Sequence, residues 1–326
     1  MSERSASAVL AEAAAAAGYA PSVHNTQPWY WRVAGGALYL FADRRRQLQN
    51  TDPDGRLLMI SCGAALHHAR VSLAAQGWTA SVRRMSDPAD GDLLATVTLA
   101  DHVGVTASAM RDFQALRLRH TDRRPVSAYG VPPIALEEIQ RAAGGEGVDL
   151  HVLKPDQVSE LASASARADH IELMDPEQRQ ELAYWVGGER AEGTGVPDSA
   201  IPHAPLQTVV PGRDFVRAGT LEAGPGHDKE ASYAVLFGSG DSPADWLRAG
   251  EAMSATWLTA QQLGLSVLPF SAVIEVPATR ETLHRTILEG IGYPYLVLRI
   301  GLPDPDHAGA PHTPRLPAEQ TVEIAD

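Results

Sequence analysis

An internal repeat constrains this chain more than any other feature. Gly63-Ala64-Ala65-Leu66 and Gly250-Glu251-Ala252-Met253 read as the starts of two Ala-rich helical segments, which end at Gly77 and Gly264. Positions 63 and 250 differ by 187, and so do 77 and 264, so the segments match in length as well as in type. A β-rich run follows each at once, Thr79-Ala80-Ser81-Val82 in one copy and Ser266-Val267-Leu268 in the other. Self-similarity at a fixed spacing is the signature of duplicated structural units. The small residues Gly63, Ala65, Gly250 and Ala252 allow two such helices to approach backbone to backbone. A chance alignment of two Ala-rich helices is the alternative.

Composition narrows the class. With 27 Lys and Arg against 40 Asp and Glu the net charge is −13, which argues against a protein that tracks nucleic-acid phosphates or docks on anionic membranes. The 326 residues are 44% hydrophobic and 21% charged, which excludes a disordered or fibrous chain. Lys154 and Lys229 are the only lysines, so arginine supplies nearly all the positive charge. Cys62 is the sole cysteine, which rules out an intrachain disulfide and thiolate-rich metal sites, and it reads as core packing rather than as a nucleophile. The apolar run from Ala13 to Ala17 has Glu3 and Glu12 before it and no basic leader, so it reads as a helix and not a signal peptide. No uninterrupted apolar stretch approaches the ~18 residues of a membrane span. A cytoplasmic protein is expected.

A pass along the chain predicts helices over 7–17, 57–76, 133–143, 158–173, 177–186, 244–262 and 279–288. Strands are expected over 29–33, 38–41, 79–84, 93–99, 149–153, 232–237, 266–268 and 295–300, with a hairpin turn at Gly35-Gly36. Residues 187–226 are rich in Gly and Pro, too long for a simple connection, and expected to act as a lid or arm. Residues 302–326 read as a Pro-rich tail. Gly238-Ser239-Gly240 lacks the third glycine of a dinucleotide-binding fingerprint, so no dedicated dinucleotide domain is expected.

Two segments carry the chemistry. Pro21-Ser22-Val23-His24-Asn25-Thr26-Gln27-Pro28-Trp29 crowds hydroxyl, imidazole, amide and indole groups into a turn before a strand. Arg119-His120-Thr121-Asp122-Arg123-Arg124-Pro125 places three arginines and a hydroxyl within six residues, the donor set a phosphate demands. Taken singly, the first is an ordinary capped loop and the second a solvated basic patch. Together they resemble the nitroreductase-like flavoproteins. The first is similar to the family's Pro-Ser-x-x-Asn-x-Gln-Pro-Trp loop, the second resembles its Arg-x-Ser/Thr-x-Arg/Lys motif for FMN phosphate, and Thr313-Pro314-Arg315-Leu316-Pro317 looks like its final basic segment.

The whole chain resembles the Acg subgroup, in which two nitroreductase-like halves are fused. The resemblance implies an α+β nitroreductase-like fold with an antiparallel-rich central sheet flanked by helices. It implies a shortened half over 1–110, a full half over 111–326 with the lid, and the repeat helices packed as a pseudo-dimer core. It also implies one FMN across the halves, because the loop lies in the first half and the arginine motif in the second. The second site should be degenerate: the helix end Ala142-Ala143-Gly144-Gly145 is not followed by the loop sequence. Arg119, Thr121, Arg123 and Arg315 would clamp the phosphate, aided by His120, while Pro21, Ser22, Val23, His24 and Asn25 would lie along the flavin ring. By the same resemblance Phe270 and Ser271 would stand near flavin N5, where common members carry an acidic residue and glycine. The implied activity is ping-pong hydride transfer from NAD(P)H, a transient donor, through FMN to a small nitro, quinone or similar acceptor. The protein is expected to be a pseudo-dimeric monomer or a homodimer. A low-turnover protein that stores FMN under the lid is the alternative, and a flavin-free remnant is a third.

Overall fold

The computed structural model describes residues 5–85, 87, 90–187, 190, 192–224, 226–304 and 312–325. Residues 188, 189, 191 and 225 of the expected lid, and 305–311 and 326 of the tail, lie outside the described residues.

The chain opens with α1 (Ala6–Ala17), whose first turn is capped by the Ser5 hydroxyl accepting from the Ala8 N–H at 3.2 Å. The hairpin β1 (Trp29–Ala34) and β2 (Ala37–Ala42) turns through Gly35 and Gly36, both at positive φ, as a two-residue turn requires. Next come α2 (Arg56–Ala75), β3 (Trp78–Arg84), β4 (Leu93–His102) and α3 (Ala107–Leu118). The second part runs α4 (Pro133–Gly145), β5 (Asp149–Val152), α5 (Pro155–Met174), α6 (Pro176–Trp185), β6 (Ser232–Gly238), α7 (Pro243–Gln262), β7 (Ser266–Phe270), α8 (Ala272–Glu275), α9 (Pro277–Thr282), β8 (Tyr293–Gly301) and β9 (Val322–Ile324).

The repeat is real in three dimensions, with one correction. The helices begin at Arg56 and Pro243, seven residues before Gly63 and Gly250, and again 187 apart. The two glycines mark a crossing rather than helix starts. A Cβ built on Gly63 would lie 1.9 Å from the Leu247 carbonyl oxygen, and one on Gly250 would lie 1.9 Å from the Ile60 carbonyl oxygen. Leu247 is the repeat equivalent of Ile60, so the two clashes are images of each other across a pseudo-two-fold axis. His67 accordingly meets its own equivalent, Ser254, through Nδ1 and Oγ at 2.8 Å. Gly77 and Gly264, both at positive φ, end the two helices.

Each long helix packs on its own sheet. The order β3-β4-β2-β1-β9 forms a five-stranded sheet against α2, and β5-β6-β8-β7 forms a four-stranded antiparallel sheet against α7. The single central sheet of the expectation is therefore two sheets, one per half, with the crossed helices between them. The tail does not simply trail away. Its end, β9, pairs in parallel with β1, Trp31 opposite Val322 and Val33 opposite Ile324. Position 110, the expected end of the first half, falls inside α3. That helix was not foreseen: apart from Ala109, Ala115 and Leu116 it buries little, so it has no clear apolar stripe to read. The helix expected over 279–288 is instead the end of α9 followed by a π-turn over Leu283–Ile287. By length and composition α2 alone among the described helices is apolar enough to cross a bilayer, and most of it is buried against α1, α7 and the first sheet.

Candidate functional site

The loop after α1 is held in a strained shape. His24, Asn25 and Gln27 all have positive φ, at 43°, 56° and 50°. Such conformations cost non-glycine residues about 1–3 kcal/mol each and persist only where surroundings over-determine them. Here they do. The Ser22 hydroxyl accepts from the Gln27 N–H at 2.9 Å, and the Ser61 hydroxyl on α2 accepts from the Val23 N–H at 3.2 Å. The Asn25 amide donates to the carbonyls of Pro314 and Gly195, and its oxygen accepts from Arg315. Gln27 donates to the Gly193 carbonyl and accepts from the Leu316 N–H. Asn25 and Gln27 thus fasten the loop to the 187–226 segment and to the C-terminal segment.

Above this loop lies a cavity of about 780 Å³ between the halves. Pro21, Ser22, Val23 and His24 form one side, and Leu57, Ile60 and Ser61 of α2 with Met253 and Trp257 of α7 form the floor. Thr121, Arg123, Phe270 and Ser271 also line it. Eight of the twelve residues singled out in the sequence therefore face one space. The other four do not. Asn25 is the strut just described, and His120 stands edge-on to His312 beside the Leu118 carbonyl. Arg119 and Arg315 lie behind Trp257, where Arg119 stacks over the indole at 4.5 Å and both guanidinium groups donate to the Tyr19 carbonyl.

The electrostatics around Arg119 and Arg315 are unusual. Arg119 is 4% exposed, and neither guanidinium pairs with a carboxylate among the described residues. Each has an Nε with no hydrogen-bond partner. Burial, and then its neighbour Arg315, press Arg119 well below the usual arginine range; burial brings Arg315 down to about 10. One buried and one half-buried arginine thus stand without a counter-charge among the described residues. Arg123 stands nearer the cavity, donating to the Ala200 carbonyl with its guanidinium over Phe215. Burial, with help from Arg213, lowers it to about 10. The backbone that carries these arginines is pinned from behind. Arg299 of β8 is paired with Asp228 at 2.8 Å and donates to the carbonyls of Asp122 and Arg124.

The 187–226 segment supplies much of the remaining wall, from Ile201 to Leu206 and from Pro211 to Ala218. Its anchor, Arg213, lies between Glu172 of α5 at 2.9 Å and Glu275 of α8 at 2.5 Å. The Asp214 N–H donates to Asp169, and the Ser165 hydroxyl donates to the Pro211 carbonyl. Burial raises Glu172 to about 8, whereas at Glu275 burial is outweighed by the Arg213 charge together with His24 and hydrogen bonds from Ser271 and Arg213, which hold it below its ordinary range. One carboxylate is therefore the ionic partner of Arg213 and the other keeps its proton near neutrality. His24 faces this group. Burial, then Arg213 and Arg123, against an opposing Glu275, lower it to about 3, so it is a neutral imidazole.

This latch makes a pH prediction. A carboxylic acid whose pKa is raised in the docked segment binds its proton more tightly there than when exposed. Docking is thus favoured in acid and weakens as pH climbs from the ordinary carboxylate range to about 8. Ligand release from the cavity should quicken over that interval in the native chain, and the slope should flatten in Glu172→Gln. Arg213→Met should release ligand about tenfold faster or more at every pH, since it strands the buried Glu275 carboxylate. Stopped-flow dissociation rates check both; equal rates in all three proteins would show that the contact does not hold the segment down.

The pseudo-symmetric position is closed. The repeat equivalents of Trp257 and Ser271 are Arg70 and Arg84, and Glu251 binds both: Arg70 at 2.8 Å, and Arg84 through two bonds at 2.6 and 2.8 Å. Arg70 also pairs with Glu146 at 2.6 Å. These part-buried ion pairs, centred on the buried Glu251, occupy the space where a second ligand would need room and free donors.

Sequence reasoning missed Trp257, Arg213 and the Arg299–Asp228 pair. Trp257 was recoverable, four residues after Met253 on the repeat helix. Arg213 was not, because its role depends on which carboxylates the fold brings to it.

Two halves related by a pseudo-two-fold axis, with a cavity built from both, define a fused-repeat α+β protein. No protein-family profile matches the chain. It is 38% identical over 313 residues to "Putative NAD(P)H nitroreductase Rv3131" of Mycobacterium tuberculosis, covering 93% of this chain and 88% of the relative. It is 33% identical over 312 residues to "Putative NAD(P)H nitroreductase acg" of the same organism, covering 94% and 92%. Among solved structures, a nitroreductase with bound FMN from Bacteroides fragilis aligns with 66% of this chain and 98% of its own at 11% identity and a TM-score of 0.41. On the sequence relatives, the chain belongs to the nitroreductase family, in the group that includes Acg.

Proposed function

We infer that this chain is an FMN-dependent oxidoreductase that takes electrons from NAD(P)H and passes them to a small planar conjugated acceptor such as a nitroaromatic or quinone. The nicotinamide donor follows the names of its relatives. The observation that carries FMN is the pair of buried Arg119 and half-buried Arg315, without carboxylate partners among the described residues and with buried, unsatisfied Nε donors, Arg119 lying against the far face of Trp257, which lines a cavity of about 780 Å³. A phosphate monoester supplies the charge and acceptor oxygens those groups lack. Arg119, Thr121, Arg123 and Arg315 would hold it. Pro21, Ser22, Val23 and His24 would bound the ring from the first half, and Phe270 and Ser271 from the second.

FMN, when bound, supplies the hydride-accepting and hydride-donating chemistry, and the protein supplies orientation and electrostatics. The strained, doubly anchored 22–27 loop gives the ring a rigid wall. The 201–218 wall limits water and the size of what stacks beside the ring. His24, neutral and flanked by Arg213 and Glu275, offers a hydrogen bond without a charge. A second reading, FMN storage with little turnover, draws on the same docked wall: if Arg213 never releases it, flavin is held but no acceptor enters.

Absorbance of the purified protein and anaerobic addition of NADH or NADPH test these readings. A yellow protein with about one flavin per chain that bleaches is the expected result. One flavin per chain follows from the Glu251 ion pairs that fill the equivalent position. Yellow but unbleached protein favours storage, a ratio near two overturns the single site, and a colourless protein that takes up no added FMN overturns the flavin reading.

A further inference from the structure

The helix stripe that floors the cavity continues past it. Leu57 and Ser61 line the cavity, and His68 lies seven residues beyond Ser61 on the same face of α2, about 10 Å along the helix axis. His68 is completely buried, and neither of its ring nitrogens has a hydrogen-bond partner among the described residues. An imidazole in that state forfeits the hydrogen bonds that water would give it. The charged and titratable groups that act on it are Arg119 at the end of α3, Arg315 of the C-terminal segment, and His67 beside it on α2. No carboxylate is among them. His68 therefore adds two unsatisfied ring nitrogens to the two unsatisfied guanidinium Nε atoms.

We propose that His68 is a further phosphate ligand of the flavin site, donating a ring N–H to the terminal phosphate of FMN beside Arg119 and Arg315. The proposal rests on the FMN reading above. Its geometric support is the separation of the two ends. Pro21 to His24, Leu57 and Ser61 surround one end of the site, and His68 with the two arginines lies about two helical turns away, a span suited to a ribityl chain. Its electrostatic support is the sign of the field. Burial, Arg119 and Arg315 keep the imidazole neutral while nothing anionic is present. A phosphate dianion reverses that field, so a proton joins His68 as FMN binds, and FMN affinity falls as pH rises. Riboflavin, which shares the ring and ribityl chain but has no phosphate, senses neither effect.

The test uses the full chain freed of flavin and titrated with FMN and with riboflavin, followed by flavin fluorescence. Measurements between about pH 7 and 9 avoid titration of the phosphate monoester itself. His68→Phe should weaken FMN about tenfold or more, the value of a charge-assisted bond, and leave riboflavin within about twofold. His68→Gln keeps a donor without a charge; it should fall between the two and lose the pH slope that the native protein shows for FMN. The imidazole nitrogen resonances of His68 should move to the imidazolium range on adding FMN but not riboflavin, a readout that needs no variant to fold. If both ligands weaken together, if neither does, or if the slope survives in His68→Gln, His68 is packing and the proposal fails. Failure of the native protein to bind FMN at all overturns the flavin reading, and this proposal with it.

Discussion

Arg119→Glu should purify without flavin. Arg119 is 4% exposed, lies 4.5 Å over the Trp257 ring and has no carboxylate partner among the described residues. Opposite unit charges about 4 Å apart in partly buried surroundings interact by about 4 kcal/mol. Reversing that sign against a phosphate is a loss on the order of a thousandfold or more in affinity. Arg119→Met separates charge from packing, because the side chain still covers Trp257 but brings no donor; its loss should be smaller. The readout is the ratio of flavin to protein absorbance after gel filtration, with thermal unfolding to confirm that both variants fold. A flavin ratio in Arg119→Glu equal to that of the native protein would remove Arg119 from the phosphate site.

Gly250→Ala should destabilise the whole chain. Its new methyl group would sit 1.9 Å from the Ile60 carbonyl oxygen, and the opposing element is helix backbone, which cannot rotate aside. The helices must move apart by more than 1 Å, loosening the packing of two helices whose residues are largely buried and which also floor the cavity. Overpacking of this kind costs about 3 kcal/mol, or roughly 1 M in the urea midpoint. Gly63→Ala should cost about as much, by the pseudo-symmetry of the contact. The double variant should cost less than the two together, since separating the helices for one methyl makes room for the other. Additive losses, or midpoints within a few tenths molar of the native one, would mean that the crossing is not tightly packed at these glycines.

What could be read beforehand followed from local chemistry. The repeat spacing of 187 survived into paired helices because small residues at a crossing leave a sequence trace that needs no knowledge of the partner. The Gly35-Gly36 hairpin and the stops at Gly77 and Gly264 were legible because positive φ favours glycine wherever the chain needs it. The helix α3 and the strand β9 were not, since a mostly exposed helix and a three-residue edge strand carry little hydrophobic periodicity.

The site divides along the same line. Pro21 to Gln27 and Arg119 to Arg123 are contiguous, so sequence alone displays their donors and the class of ligand they suit. Sequence alone also fixes the acidic balance and the family to which the chain belongs. Only tertiary structure decided that Asn25 turns from the cavity to tie Pro314 and Gly195, that Arg213 lies between Glu172 and Glu275, and that Glu251 closes the equivalent site by binding Arg70 and Arg84. His68 and Arg119 are 51 positions apart, and Arg315 a further 196, yet both arginine charges act on the buried imidazole. Each of these outcomes depends on which charges meet after burial. A charge's neighbours in space are set by the packing of helices and sheets, and neighbours along the chain do not report them.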